Sequence, residues 1–346
     1  MDVWLQGRLI NSTNNRYPYK AILKTLLNTN EVDAKSKLTS QLFVKNTAEN
    51  IDVTHPNSTN RGMFERHKIM SESKSFDMEG PIMHDLFQLR RYIMNQIDVQ
   101  VKLYRSPPSF LLMATQSDEN YTIHIDDIVL QIMRVKVNPS VIYGHNTALS
   151  STMAKYFYPR TEVKMMSIPR GQVAFTYDNI FQGVRPNKVV VGFVASNAVA
   201  GDYSRNPFNF TNYDLSQIAL YCDGRNVGES GPIKLQFDKT HGQNMMPAFA
   251  NLFRFNGCWT VDEGGIDSQS TVYLDRMDFD RGYALYAFSL EPLSGRSHEQ
   301  TYQKQGNLRL EAQFATALPV TVTYIVYAEF GNGFHSAIEG LSYISI

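Results

Sequence analysis

The sequence predicts an all-β protein built as two β-sandwich domains, and three observations carry that expectation. The run Lys188-Val-Val-Val-Gly-Phe-Val-Ala195 is continuously apolar and β-branched, as a strand buried on both faces requires. Ile218-Ala-Leu-Tyr-Cys-Asp-Gly224 then leads into an Asp-Gly pair, a strong short-range hairpin signal. Finally, 346 residues suffice for two domains of ordinary size, each able to bury a core. The expected division is a first domain over 1–140, a joint with a short helix over 141–160, and a second domain over 161–346.

The elements follow in order. Val3 to Ile10 reads as strand, turn and strand, and Tyr19 to Asn28 has helical spacing at Ile22, Leu23, Leu26 and Leu27, with Pro18 suited to a first helical turn. From Thr47 to Ser75 the composition turns polar around His55-Pro56, Asn57, Ser58, Asn60 and Gly62, which predicts a long surface loop. Alternation at Ile97–Leu103, and again at Tyr121–Asp126 and Ile128–Met133, predicts strands broken by Pro107-Pro108. Ala148 to Tyr156 is expected to form the helix of the joint.

In the second half, strands are expected near 161–167, 171–176, 188–196, 217–222, 232–237, 283–290, 306–314 and 319–330, a count that suits a jelly roll. A helix is expected within His241–Phe255, where Met245, Met246, Phe249, Leu252 and Phe253 fall at helical offsets. The polar, aromatic stretch 197–216 reads as a long ordered loop. In it Asn206 and Asn209 are suited to bonding nearby main chain, and Phe208 and Phe210 to anchoring it. Residues 261–280 read as an acidic loop containing Gly264-Gly265.

Composition excludes several classes of function. Thirty-three Lys and Arg balance thirty-three Asp and Glu, so the chain lacks the basic excess of a dedicated nucleic-acid binder. Cys222 and Cys258 form neither a disulfide framework nor a CxxC zinc pattern, and are expected to be mostly buried thiols in a reducing compartment. No charged-then-apolar signal segment opens the chain and no apolar run reaches membrane-span length, which predicts cytosolic synthesis. The sequons at Asn11, Asn57, Asn120 and Asn209 are then ordinary loop asparagines.

Enzyme chemistry needs a positioned nucleophile, a tuned acid or base, a metal cage or a phosphate cradle, and the sequence writes none of them. Gly224-Arg-Asn-Val-Gly228 lacks the Lys-Ser/Thr of a phosphate loop and reads as a hairpin turn. The acids Asp262, Glu263, Asp267, Asp275, Asp278 and Asp280 have the donor chemistry for calcium, but without EF-hand spacing they read as a solvated loop. His84 beside Asp85, and His124 beside Asp126 and Asp127, are read as surface ion pairs and not as catalytic dyads. Arg90-Arg91 is read as solvated or salt-bridged. No catalytic, cofactor-binding or metal-ligating residue is assigned, and no cofactor is expected.

The blocks just described also carry a resemblance. Lys188–Asn197, Tyr203–Phe210 and Ile218–Gly224 are joined by Tyr17-Pro-Tyr19 with Leu26-Leu27 and Asp33–Thr39, by Val135–Ser140 with Ala148-Leu149, and by Gln305–Leu310, Ala317–Pro319 and Val326–Phe330. In this order, over most of the chain, they resemble the major capsid proteins of the Polinton/Maverick and adintovirus-like elements. That resemblance implies a double jelly roll, two sandwiches side by side. It also implies trimeric, pseudo-hexameric capsomers that tile an icosahedral shell, in a virion or in an integrated or domesticated copy of such an element. The expected partners are further copies of the chain and a penton or minor capsid protein. Only 16 residues precede Tyr17, too few for several strands of roughly five or six residues each, so the first roll is expected to lack its opening strands.

Loops 47–75 and 197–216 would then interdigitate between subunits, with Phe208 as a central anchor. Three other readings stand beside this one. The single-jelly-roll vertex protein would show one sandwich after residue 160 and an unrelated first half. A jelly-roll glycan-binding module would expose Tyr203, Phe208, Phe210 and Tyr213 as a platform. A cupin-type enzyme would cluster histidines that the sequence scatters.

Overall fold

The computed structural model describes residues 1–12, 16–55, 59–89, 91–95, 97–116, 120–152, 156, 158, 160–227, 231–240, 242–256, 272–291 and 304–331. Strands β1 (Asp2–Leu5) and β2 (Arg8–Ser12) form a hairpin whose two turn residues, Gln6 and Gly7, both have positive φ. Such a turn matches the strand twist. Strand β3 (Val99–Lys102) pairs antiparallel with β1 on its other side, giving a sheet of order β2-β1-β3.

Helix α1 (Tyr17–Asn28) starts with proline in its first turn and buries Tyr19, Leu23, Leu26 and Leu27 on one side. After α2 (Glu31–Lys35) comes α3 (Arg61–Met70), inside the stretch expected to be a loop. Its start is written in Asn60, whose side chain accepts the Met63 N–H; its mostly polar residues hid the rest. Short α4 (Pro108–Leu111) precedes α5 (Pro139–Leu149). The helix of the joint thus begins nine residues before the expected Ala148, because Asn138 caps it and Pro139 opens it.

From residue 160 the chain is a sandwich of antiparallel sheets. Its strands are β4 (Arg160–Ile168), β5 (Ala174–Tyr177), β6 (Val184–Arg185), β7 (Lys188–Ala195), β8 (Leu215–Cys222), β9 (Arg225–Asn226), β10 (Ile233–Lys234), β11 (Leu285–Ser289), β12 (Lys304–Gln305), β13 (Leu308–Phe314) and β14 (Val322–Phe330). One sheet has the order β11-β7-β14-β4 and the other β10-β8-β13-β5, with β9 paired to β8; β6 and β12 pair separately. Setting aside β6 and β12, which pair apart from the two sheets, and β9, which lies off the main path on β8, eight strands remain among the described residues, and each strand k of the eight is hydrogen-bonded to strand 9 − k. The expected positions of all eight agree with the observed strands to within a few residues.

The sheets meet through aromatic rings: Phe175 of β5 lies 6.1 Å from Phe193 of β7 and 5.0 Å from Tyr324 of β14, and Phe193 lies 5.7 Å from Phe314 of β13. Every residue of β7 from Val189 to Val194 is buried, so its outer face is covered as well. Helix α7 (Met246–Phe255), which follows the five-residue α6 (Ser196–Ala200), packs on β11, and α1 contributes to the same core. The last helix among the described residues is α8 (Arg276–Asp280). A smaller core gathers Met1, Val3, Leu5, Leu86, Tyr156 and Tyr158.

Residues 121–138 depart from expectation. Neither predicted strand there joins a ladder, because among the described residues no neighbouring strand is offered to them.

Candidate assembly surface

From 121 to 138 the backbone runs without helix, turn or sharp bend. Among the described residues, no backbone group of 121–137 bonds to another backbone group. Its large side chains face water: Ile128 is 62% exposed, Val129 74%, Ile132 68% and Met133 82%. Apart from the Ile128 N–H, which donates to Asp127 Oδ1 at 2.8 Å, the arm sets backbone groups without backbone partners beside contiguous exposed apolar side chains, the features of an open strand edge.

The arm is anchored at both ends. Before it, the Ala114 N–H donates to the Tyr203 carbonyl at 3.0 Å, the Tyr121 ring meets Tyr203 edge-on at 5.2 Å, and Arg105 donates to the Ile123 carbonyl at 2.7 Å. After it, α5 leads to Tyr156, whose hydroxyl accepts the Met94 N–H and donates to the Tyr92 carbonyl inside the smaller core.

Within the chain, the two loops bond to each other. Asp52 accepts the Asn206 N–H at 2.8 Å and Asn209 Nδ2 at 2.9 Å, and pairs with Arg205 at 3.1 Å. Asn206 Oδ1 accepts the Phe208 N–H, as its place in the loop suggested. Phe208 packs edge-on against Tyr19 at 5.5 Å and Phe110 at 5.8 Å, so it anchors its own subunit. Phe210 is fully buried over Gly192, and Tyr203 and Tyr213 are half-buried. These four rings form no open platform.

His84 and Asp85 are not a surface pair. Both are fully buried, between α1 and β4. Asp85 takes Lys20 at 2.8 Å, Lys24 at 3.0 Å, and both the N–H (2.9 Å) and hydroxyl of Thr161, while Lys24 also donates to Gln88 Oε1. Burial alone would raise the Asp85 carboxyl, but Lys20 and Lys24 outweigh it and hold it below its usual range. Burial pushes the Lys20 ammonium down, with Asp85 opposing. His84 accepts the Leu86 N–H on Nδ1, and burial, with Lys20 beside it, pushes it down to about 4. The sequence showed the His-Asp dipeptide but not the lysines, which arrive 61 and 65 residues away in sequence.

His124 Nε2 lies 3.3 Å from Asp126 Oδ1 with both exposed, the surface pair expected. Asp275 and Asp278 form a capping box on α8, Asp278 pairs with Lys45 at 2.5 Å, and Asp280 pairs with Lys239 at 3.2 Å. These carboxylates serve structure. Asp262, Glu263, Gly264, Gly265 and Asp267 lie outside the described residues, as do Arg90, Gly228, His241 and Cys258. Arg91 is exposed. Asp223 and Gly224 form the tight turn between β8 and β9, both with positive φ. Cys222 is half-buried rather than enclosed, and burial with Asp223 alongside raises its thiol. Among the described residues no three His, Cys, Asp or Glu side chains gather as a metal site, and no helix is long and apolar enough to cross a membrane.

No protein-family model matches the chain. It is similar to "Uncharacterized protein F54H12.2" of Caenorhabditis elegans, with 22% identity over 261 residues. That alignment covers 72% of this chain and 58% of the nematode protein, so the chain spans less than two thirds of that relative's length.

Proposed function

We propose that the chain is a self-assembling shell subunit: a major capsid protein of a Polinton-like virus or of its integrated or domesticated copy, forming trimeric, pseudo-hexameric capsomers. It works by association, not by chemistry, and resides in the virion. The observation that supports this reading best is the strand order after residue 160. Pairing of each strand k with strand 9 − k is one long hairpin rolled over on itself, the double Greek key of a jelly roll. The exposed arm at 121–138 adds a surface built for protein contact. Its partners on this reading are further copies of itself and a penton or minor capsid protein.

A second reading has its own support. Among the described residues there is one sandwich, after residue 160, and a first half with a single three-stranded sheet. That arrangement suits a vertex protein, normally a single jelly roll. The glycan-binding reading loses support because its four rings are wholly or half buried.

Light scattering and negative-stain microscopy of the purified protein test these readings. Trimers, hexagonal arrays or shells are expected of the major subunit, and pentamers of the vertex protein. A monomer at every concentration and under crowding would sink both.

A further inference from the structure

We infer that two copies of this chain join by antiparallel pairing of their 124–136 segments, with Leu130 facing Leu130 across a two-fold axis. This goes beyond the shell reading and does not depend on it, since it rests on the arm alone.

Three properties of the arm point to a second copy as the occupant. Among the described residues its backbone makes no bond to other backbone over 121–137, and within 124–136 the Ile128 N–H alone is taken by a side chain, that of Asp127, so most of its donors and acceptors are open to a second strand. Its middle is apolar and exposed at Ile128, Val129, Leu130, Ile132 and Met133. Its charges are arranged to suit its own reversal: Asp126 and Asp127 precede the apolar stretch, and Arg134 and Lys136 follow it. When a second arm runs the other way, acids meet bases at both ends at once. Such self-complementarity is what a two-fold interface requires.

The register follows from strand geometry. A two-fold axis perpendicular to a sheet keeps each residue on its own face, and directly opposed residues share a face. Opposed positions must therefore have the same parity. With Leu130 on the axis, Asp126 faces Arg134 of the second copy, Ile128 faces Ile132, and the reciprocal contacts repeat. One face is then an apolar run of Ile128, Leu130 and Ile132 closed at each end by opposite charges, both kinds of cross-strand pair that stabilise sheets. Moving the axis to Gln131 places Asp126 opposite Lys136 but sets Ile128 against Arg134, an inferior match. His124, which lies 3.3 Å from Asp126 in the single chain, is the group that Arg134 would displace or share.

The test is sedimentation equilibrium on the full chain across micromolar concentrations, with circular dichroism to confirm that each variant folds; the substituted side chains are exposed, so folding should be unchanged. Asp126→Arg and Arg134→Asp should each weaken dimerisation by about tenfold or more, and the double exchange should restore it. Leu130→Cys should give a disulfide-linked dimer under mild oxidation, faster than Val129→Cys and above the background of the unsubstituted chain, which carries Cys222 and Cys258. An unsubstituted chain that stays monomeric, single exchanges without effect, a double exchange that fails to restore, or equal cross-linking at 129 and 130 would each overturn the inference. Dimers that never progress to larger particles would leave it standing and count against the shell reading alone.

Discussion

Lys20 Nζ stands 2.8 Å from Asp85 Oδ2, with both side chains sealed from water. This ion pair, extended by Lys24 and Thr161, ties α1, the segment at Asp85 and strand β4 into one body. Removing one partner of such a network leaves charges buried without compensation. Asp85→Asn is expected to destabilise the fold by about 3–5 kcal/mol, seen as a lower urea midpoint with an unchanged slope. A loss under about 1 kcal/mol would mean that Lys20 and Lys24 reach water.

The same cluster sets a pH response. His84 has its folded pKa lowered to about 4 from an ordinary value of 6.5, chiefly by burial, so the unfolded chain takes up the proton first. Stability is complete above about pH 6.5 and falls as pH drops toward 4, by up to about 3 kcal/mol from this group. Protonation of Nδ1 also removes the acceptor for the Leu86 N–H. Asp85, likewise lowered, continues the loss in the same direction at still lower pH. Urea midpoints between pH 7 and 4.5 should therefore slope downward, and His84→Asn, which keeps an acceptor but does not titrate, should flatten that slope.

Gly192 lies directly under the Phe210 ring. A Cβ there would sit 2.6 Å from Phe210 Cδ1 and 3.0 Å from Leu285 Cδ2, closer than carbon atoms approach. Gly192→Ala is expected to cost about 1–3 kcal/mol in a thermal or urea melt, and Phe210→Leu in the same chain should recover part of it. A Gly192→Ala variant as stable as the parent would show that β7 can move away from the 202–212 loop.

Asp52 holds that loop from across the chain. Asp52→Ala removes acceptors for the Asn206 N–H, Asn209 Nδ2 and Arg205 together. Amide exchange at residues 205–209 should speed up by at least about tenfold, while exchange in β7 and β14 stays as it was. Equal acceleration in both places would make the loop part of the sandwich's own cooperative unit.

What was legible in the sequence was local. Val189 to Val194 announced a doubly buried strand because both faces are covered, and Asp223-Gly224 announced its turn because both residues need positive φ. Helix α3 was missed because its boundary signal, Asn60, sits in polar surroundings that also describe a loop. The Lys20–Asp85–Thr161 cluster was missed for a different reason: its members are distant in sequence, and a lysine on a helix otherwise amphipathic reads as solvated. The residues 121–133 carry genuine strand alternation, but alternation states only that a segment can pair. It does not say whether the partner lies in the same chain.

The position of β14 has a consequence for synthesis. It lies between β7 and β4, and donates and accepts along both, yet it is the last in sequence of the eight strands that build the two sheets among the described residues. Among the described residues β4 has no other sheet neighbour and β7 only β11, so until residues 322–330 leave the ribosome β4 stands unpaired and β7 is paired on one side at most. Between the emergence of Ile168 and that of Phe330, at roughly 5–20 residues per second, the half-built sheet waits on the order of ten seconds or more. During that interval the newborn chain presents apolar strand edges to its surroundings, so its yield should depend on nascent-chain chaperones and on translation rate far more than its final stability would suggest.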